Sequence, residues 1–127
     1  MSDYVSIPAL ADALRDHADG LFADTAAVDL IVEHGVWLRH HTFHRFIRQG
    51  HYQHAPDTPF AYIRWRAALS ALEHGQLPCS SSEADILRIA ASIGAGTPVR
   101  LRNVLGGLDR RNIGLVTDAI TTANSGT

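Results

Sequence analysis

Histidine is the residue type whose placement here could do chemistry. Seven of the eight histidines fall between His34 and His74, and five lie between His40 and His54. On a helix over residues 36–49, His40 and His44 stand one turn apart on one side. His51 and His54 follow in a loop that can fold back toward them. Neutral imidazoles one turn apart can ligate one metal, as in the helical HExxH pattern. His40, His44, His51 and His54 are therefore the candidate ligands, and zinc or another divalent transition metal is what they would hold. The zincin pattern itself fails. The segment reads His40-His41-Thr42-Phe43-His44, with no Glu beside His40 to act as general base. A carboxylate ligand has to come from elsewhere, such as Glu33, Asp57 or Glu73. Spacing without a third fixed ligand is weak, so the leading expectation is that the chain carries no cofactor. Imidazoles clustered near five arginines would also resist protonation, which makes pH sensitivity a further expectation.

A second constellation overlaps the first. Trp37, Arg39, Arg45, Phe46, Arg48, Tyr52, Phe60, Arg64 and Arg66 lie within thirty residues. Tyr, Trp and Arg are the residues that protein interfaces favour. Arginine interleaved with aromatics can also bind nucleic acid, through phosphates and by stacking on bases. Against the second use, the sequence pI is near 6.4, whereas dedicated nucleic-acid domains commonly exceed about 9. Two helix pairs have turns short enough for a helix-turn-helix: residues 82–93 with 99–105, and 99–105 with 109–123. The second would present Arg110, Arg111 and Asn112 at the start of its last helix. No further signature supports that motif.

Nucleophilic chemistry has little to stand on. Cys79, the one cysteine, precedes a helix start that can lower a thiol pKa. No nucleophile-elbow, P-loop or dinucleotide-binding pattern surrounds it or any glycine cluster.

The elements that must position these groups read as helices. A chain of 127 residues, 46% apolar and 19% charged, is one globular domain with a single core. A lone Cys forms no internal disulfide, and Met1-Ser2-Asp3-Tyr4 leads into no signal-like segment. No apolar run approaches the roughly 18 residues of a spanning helix. Residues 1–127 are thus expected to be cytoplasmic, with no membrane partner. The basic complement is all arginine, eleven of them, which with abundant Ala and Gly suggests a GC-rich bacterial, phage or plasmid origin. Charge is divided unevenly. Residues 1–35 hold seven acids against Arg15, a net −6, while residues 36–66 hold five arginines against Asp57, a net +4.

Caps, stops and periodicity divide the chain. Ser6 can cap a first helix that stops at Gly20, with a stripe of Ile7, Leu10, Ala11, Leu14, Ala18 and Leu21. Asp24 can cap a second that ends at His34-Gly35. Residues 36–49 form a third, and 50–58 a loop. Thr58-Pro59 opens a fourth, running to His74-Gly75 and burying Tyr62, Trp65, Leu69 and Leu72. Ser80-Ser81-Ser82-Glu83 is a capping box for a fifth. A short sixth spans about 99–105, with a brief strand as the alternative. Asp109 caps a last helix whose buried face is Ile113, Val116, Ile120 and Ala123, and residues 124–127 fray. Short amphipathic helices are marginal alone. The expected fold is all-α: a compact, irregular orthogonal bundle of six or seven short helices, with no substantial sheet. The C-terminal third, with Leu87-Arg88-Ile89-Ala90-Ala91-Ser92-Ile93 and Gly107-Leu108-Asp109-Arg110-Arg111-Asn112, resembles uncharacterised actinobacterial proteins, which implies no activity.

The functional expectation is a non-catalytic interaction module that binds a protein partner or its own copies through the nine Arg/aromatic residues. The alternatives are nucleic-acid binding through residues 37–66 and a histidine-ligated metal protein.

Overall fold

Polar caps start three of the helices. The computed structural model describes residues 6–125; residues 1–5 and 126–127 lie outside. Ser6 opens α1 (Ile7–Ala18) by accepting from the Ala9 amide. Ser80 and Glu83 form the reciprocal capping box of α5 (Ser81–Ala95). Asp109 accepts from the Asn112 amide at the start of α7 (Arg110–Asn124). The second helix, α2 (Phe22–His34), begins two residues before Asp24, which sits in its first turn instead of capping it. Gly35 closes α2 at φ +81, a left-handed conformation that only glycine adopts cheaply. A short α6 (Leu101–Leu105) connects α5 to α7.

The centre of the fold is α2. It packs against α1, α5 and α7. Its buried residues, Ala26, Ala27, Val28, Leu30, Ile31 and His34, are spread around the helix instead of lying on one narrow stripe. A helix apolar on most sides must be enclosed by neighbours.

The expectation of an all-α fold is overturned between residues 36 and 64. The described chain is 66% helical, with seven α-helices, one 3-10 helix and a two-stranded antiparallel sheet. The expected helix over 36–49 breaks after one turn. Residues Val36–Arg39 form α3, His40 is extended at φ −77 and ψ 111, and His41–Phe46 form the 3-10 helix. The chain then enters β1 (Ile47–Tyr52), turns at Gln53-His54, and returns as β2 (Ala55–Ile63). Thr58-Pro59 therefore lies inside a strand, and α4 (Trp65–Glu73) begins six residues after Pro59.

The physical reason is a period of two. Ala61 and Ile63 are buried while Tyr62 between them is 41% exposed, the alternation of a half-buried strand. The ladder pairs Ile47 with Ile63, Arg48 with Tyr62, and Gly50 with Phe60. A two-stranded sheet consists of edges, which is where proline is tolerated, and Pro59 sits opposite His51 beside an irregularity at His51/Tyr52. Ile47 and Ile63 join the core with Phe43 and Trp37.

Three expected core contacts also fail. Leu21 is 60% exposed, and on α7 Ile113 and Ile120 are 37% and 55% exposed. The buried face of α7 is instead set by Asn112, Val116 and Ala119. Of the tail expected to fray, Asn124 ends α7, and residues 126–127 are outside the description. Among the described residues, no helix is long and apolar enough to cross a membrane.

Candidate functional site

A sharp turn between α1 and α2 builds one side of the site. Gly20 adopts φ +92, the Leu21 amide donates to the Ala18 carbonyl at 3.2 Å, and the Thr25 hydroxyl donates to the same carbonyl at 3.0 Å. This places the end of α1 and the first turn of α2 side by side. The hairpin closes against α1. Between them lies an open cleft of about 250 Å³. Leu14, His17 and Ala18 line it from α1, Asp24 and Val28 from α2, and Ala61, Tyr62 and Ile63 from β2. Trp65, at the start of α4, and Gly94, near the end of α5, complete the wall.

Trp65 stands where Gly94 lets it. A Cβ on Gly94 would meet the indole Nε1 at 2.8 Å and Cε2 at 2.9 Å. The indole edge thus packs onto the α5 backbone. Among the described residues, neither the Trp65 indole N–H nor the Asp24 carboxylate has a hydrogen-bond or ion-pair partner. Asp24 is half-buried, and no arginine lines the cleft.

His17 sets the cleft's edge. Its ring centroid lies 5.4 Å from that of Tyr62, 5.7 Å from Phe60 and 6.3 Å from Tyr52. Its Nδ1 and the Tyr52 hydroxyl share a 3.1 Å hydrogen bond. Phe60 itself lies across Gly50, where a Cβ would come within 2.8 Å of the ring. Glycine opposite an aromatic leaves the strand backbone free for the ring to cover. His54 adds a further contact at 5.3 Å from Tyr52.

The nine residues expected to form one interaction surface are divided. Trp37 is fully buried and donates its indole N–H to the Glu83 carbonyl at 2.9 Å. Phe46 packs half-buried against the core. Tyr52 and Phe60 belong to the aromatic group around His17. Arg39, Arg45, Arg48 and Arg64 are exposed. Arg66 is exposed as well, with its guanidinium donating to the Ala95 carbonyl at 2.8 Å.

The four histidines considered as metal ligands go to different partners. His40 packs on Trp37 at 4.9 Å. His44 donates Nε2–H to the Leu38 carbonyl at 2.6 Å. His54 lies on Tyr52, and His51 is exposed on β1. Among the described residues, no group of three or more His, Cys, Asp or Glu side chains is placed to hold a metal ion. Cys79 is half-buried, and burial, then the nearby Glu83 carboxylate, pushes its thiol pKa up. That is the opposite of what an activated nucleophile needs.

Sequence reasoning missed the residues that converge. His17 is the one histidine outside the His34–His74 region, and Asp24 passed as an ordinary cap. By helical spacing Tyr62 and Trp65 read as the buried side of a helix. The burial alternates from Phe60 to Ile63 and turns Tyr62 outward, but Phe60, Ala61, Tyr62 and Ile63 are all apolar, so the residue types alone carry no such signal. Comparison with protein families, with characterised proteins and with solved structures finds no match.

Proposed function

We propose that the protein is a non-catalytic interaction module that binds a protein partner at the mouth of the α1/α2/hairpin cleft. One observation carries this reading. Leu21 and Phe22, 60% and 50% exposed, lie in the chain between the lining residues Ala18 and Asp24, and Tyr62, 41% exposed, forms the opposite lip. Large apolar groups gathered around a concavity are the usual make-up of a binding patch. This surface differs from the one expected from the sequence, since none of its anchors is among the nine residues of that expectation. Its anchors are Leu21, Phe22 and Tyr62 instead of Trp37 and Phe46.

Selection of displayed random peptides on the immobilised full chain tests it. The expected result is a convergent consensus that binds the native protein and fails on Leu21→Ser/Phe22→Ser. Absence of convergence, or a consensus indifferent to those substitutions, overturns the reading.

A second reading, nucleic-acid binding, is favoured by one feature: Arg45, Arg48 and Arg64 are exposed, with no carboxylate partner among the described residues. Fluorescence anisotropy with single- and double-stranded oligonucleotides at 20 mM and 200 mM salt separates the two. Binding that falls steeply with salt and is lost in Arg45→Ala/Arg48→Ala supports nucleic acid; no binding at 20 mM removes it.

A further inference from the structure

From the cleft's chemistry we infer that it is a cation site, which takes the ammonium or guanidinium of a lysine or arginine side chain presented by the partner. The inference rests on the reading above and names the chemistry of its central contact.

Three features converge on a cation. The first is the carboxylate. Asp24 is half-buried in the cleft wall and has neither an ion pair nor a side-chain hydrogen bond among the described residues. The other acids of α2 differ: Asp29 and Glu33 both bind Arg15, at 2.9 Å and 2.7 Å. A carboxylate held in a partly apolar concavity gains most from an incoming donor that carries positive charge. The second feature is the aromatic wall. Tyr62, stacked on His17 on one side, and Trp65 both line the space, and aromatic rings attract cations. The third is the charge on the α1 side of the mouth, across from Arg64 and Arg66, which flank Trp65 in the chain. Asp16 and Asp19 flank the lining residues His17 and Ala18 in the chain, both are exposed, and neither has an ion-pair partner among the described residues. The arginine that α1 does carry is engaged with Asp29 and Glu33.

Size and surroundings point to a side chain of a protein instead of a free metabolite. The cleft's 250 Å³ falls below the roughly 300–1,000 Å³ of pockets that enclose drug-sized ligands. It suits one long side chain entering from an open mouth. The aliphatic stem of lysine or arginine would lie along Leu14 and Val28 while the head reaches Asp24. A free small amine would leave Leu21 and Phe22 uncovered. A peptide carrying the basic residue between apolar neighbours covers them.

The test is a titration of the full-length protein followed by the two tryptophan indole N–H resonances. Trp65 reports the cleft, and Trp37, buried and bonded to Glu83, is the internal reference. The probes are acetyl-Leu-Lys-Leu-amide, its arginine counterpart, the same peptide with norleucine for lysine, and n-butylammonium. The expected result is a saturable shift of the Trp65 signal, with both basic peptides at least tenfold tighter than the norleucine peptide. Asp24→Asn and Tyr62→Leu should each weaken the basic peptides at least tenfold, with unchanged circular dichroism. Norleucine binding as tightly as lysine overturns the cation site and leaves the contact surface standing. Butylammonium binding as tightly as the peptides, with Phe22→Ser without effect, marks a small-amine site and overturns the partner. No shift with any probe, alongside a convergent peptide selection, places the contact elsewhere and overturns the inference alone. Failure of both experiments overturns both readings.

Discussion

His34 shows what burial does to a single titratable group. It is 6% exposed at the end of α2, and its Nδ1 is buried without a hydrogen-bond partner among the described residues. Burial lowers its pKa from 6.5, and the Arg111 guanidinium acts in the same direction. The folded chain therefore resists a proton that the unfolded chain accepts. Stability from this residue is fully present above the ordinary histidine value and is lost as the pH falls below it, levelling off once the folded value is passed. Each unit of depression corresponds to about 1.4 kcal/mol. Urea unfolding should show a lower midpoint at pH 5 than at pH 7.5. His34→Gln removes the ionisation and should shrink that difference; an unchanged difference would assign it to the other histidines. Gly94 is the second residue where magnitude decides. In a helix, Gly→Ala ordinarily gains about 1 kcal/mol. Here the new methyl would stand 2.8 Å from Trp65 and 3.0 Å from the methyl of Ala27. Ala27 is fully buried and on the central helix, so it has no room to move. Overpacking of this kind costs about 1–3 kcal/mol. Gly94→Ala should therefore lower the melting temperature and shift the tryptophan emission, and a raised melting temperature would contradict the placement of the indole.

At the scale of elements, the helices and their boundaries were legible wherever a local signal decided them. Ser6, Ser80 with Glu83, and Asp109 cap as their side chains dictate, and Gly35 stops α2 as its freedom at positive φ allows. The hairpin was not legible, because its deciding contacts are not local. Gly50 looks like a helix stop until it is set opposite Phe60. Thr58-Pro59 looks like a helix start until Pro59 is seen on a strand edge. The site shares this history: its histidine and its carboxylate come from α1 and α2, far in sequence from the aromatic lip they meet. The hairpin should depend on its side-chain pairs more than on its backbone, since a two-stranded sheet is marginal alone. Phe60 lies over Gly50 and against His17, Tyr52 and Tyr62. A fully buried Phe→Ala change costs about 3–5 kcal/mol; for this half-buried ring the expected cost is about 2 kcal/mol. Phe60→Ala should speed hydrogen exchange at the β1 and β2 amides while α5 amides stay protected. Equal loss of protection in α5 would mean that the hairpin is no separate unit of stability.

At the scale of the molecule, charge is divided unevenly along the sequence, and folding does not pair the two parts. Residues 1–35 carry a net −6 and residues 36–66 a net +4. Folding could have neutralised one against the other, yet none of the four ion pairs among the described residues joins the two regions. Arg15 pairs with Asp29 and Glu33, and Arg88 with Glu73 and Asp85. The arginines of the 3-10 helix and hairpin remain exposed, as do Asp12 and Asp16 on α1 and Asp19 just past its end. Unpaired acids and arginines are thus left available to other copies while the formal net charge is only −2, so repulsion between copies is weak and attraction between unlike groups can exceed it. The range of that attraction is the Debye length, about 30 Å at 0.01 M salt and about 8 Å at 0.15 M. Static light scattering should therefore report net attraction between copies in 10 mM NaCl and its loss by 300 mM. Contact through the apolar residues Leu21 and Phe22, or through Ile113 and Ile120, would respond in the opposite sense, because burial of apolar surface is not weakened by screening. Attraction that persists or grows with salt would thus assign self-association to those faces and remove the charge division as its cause.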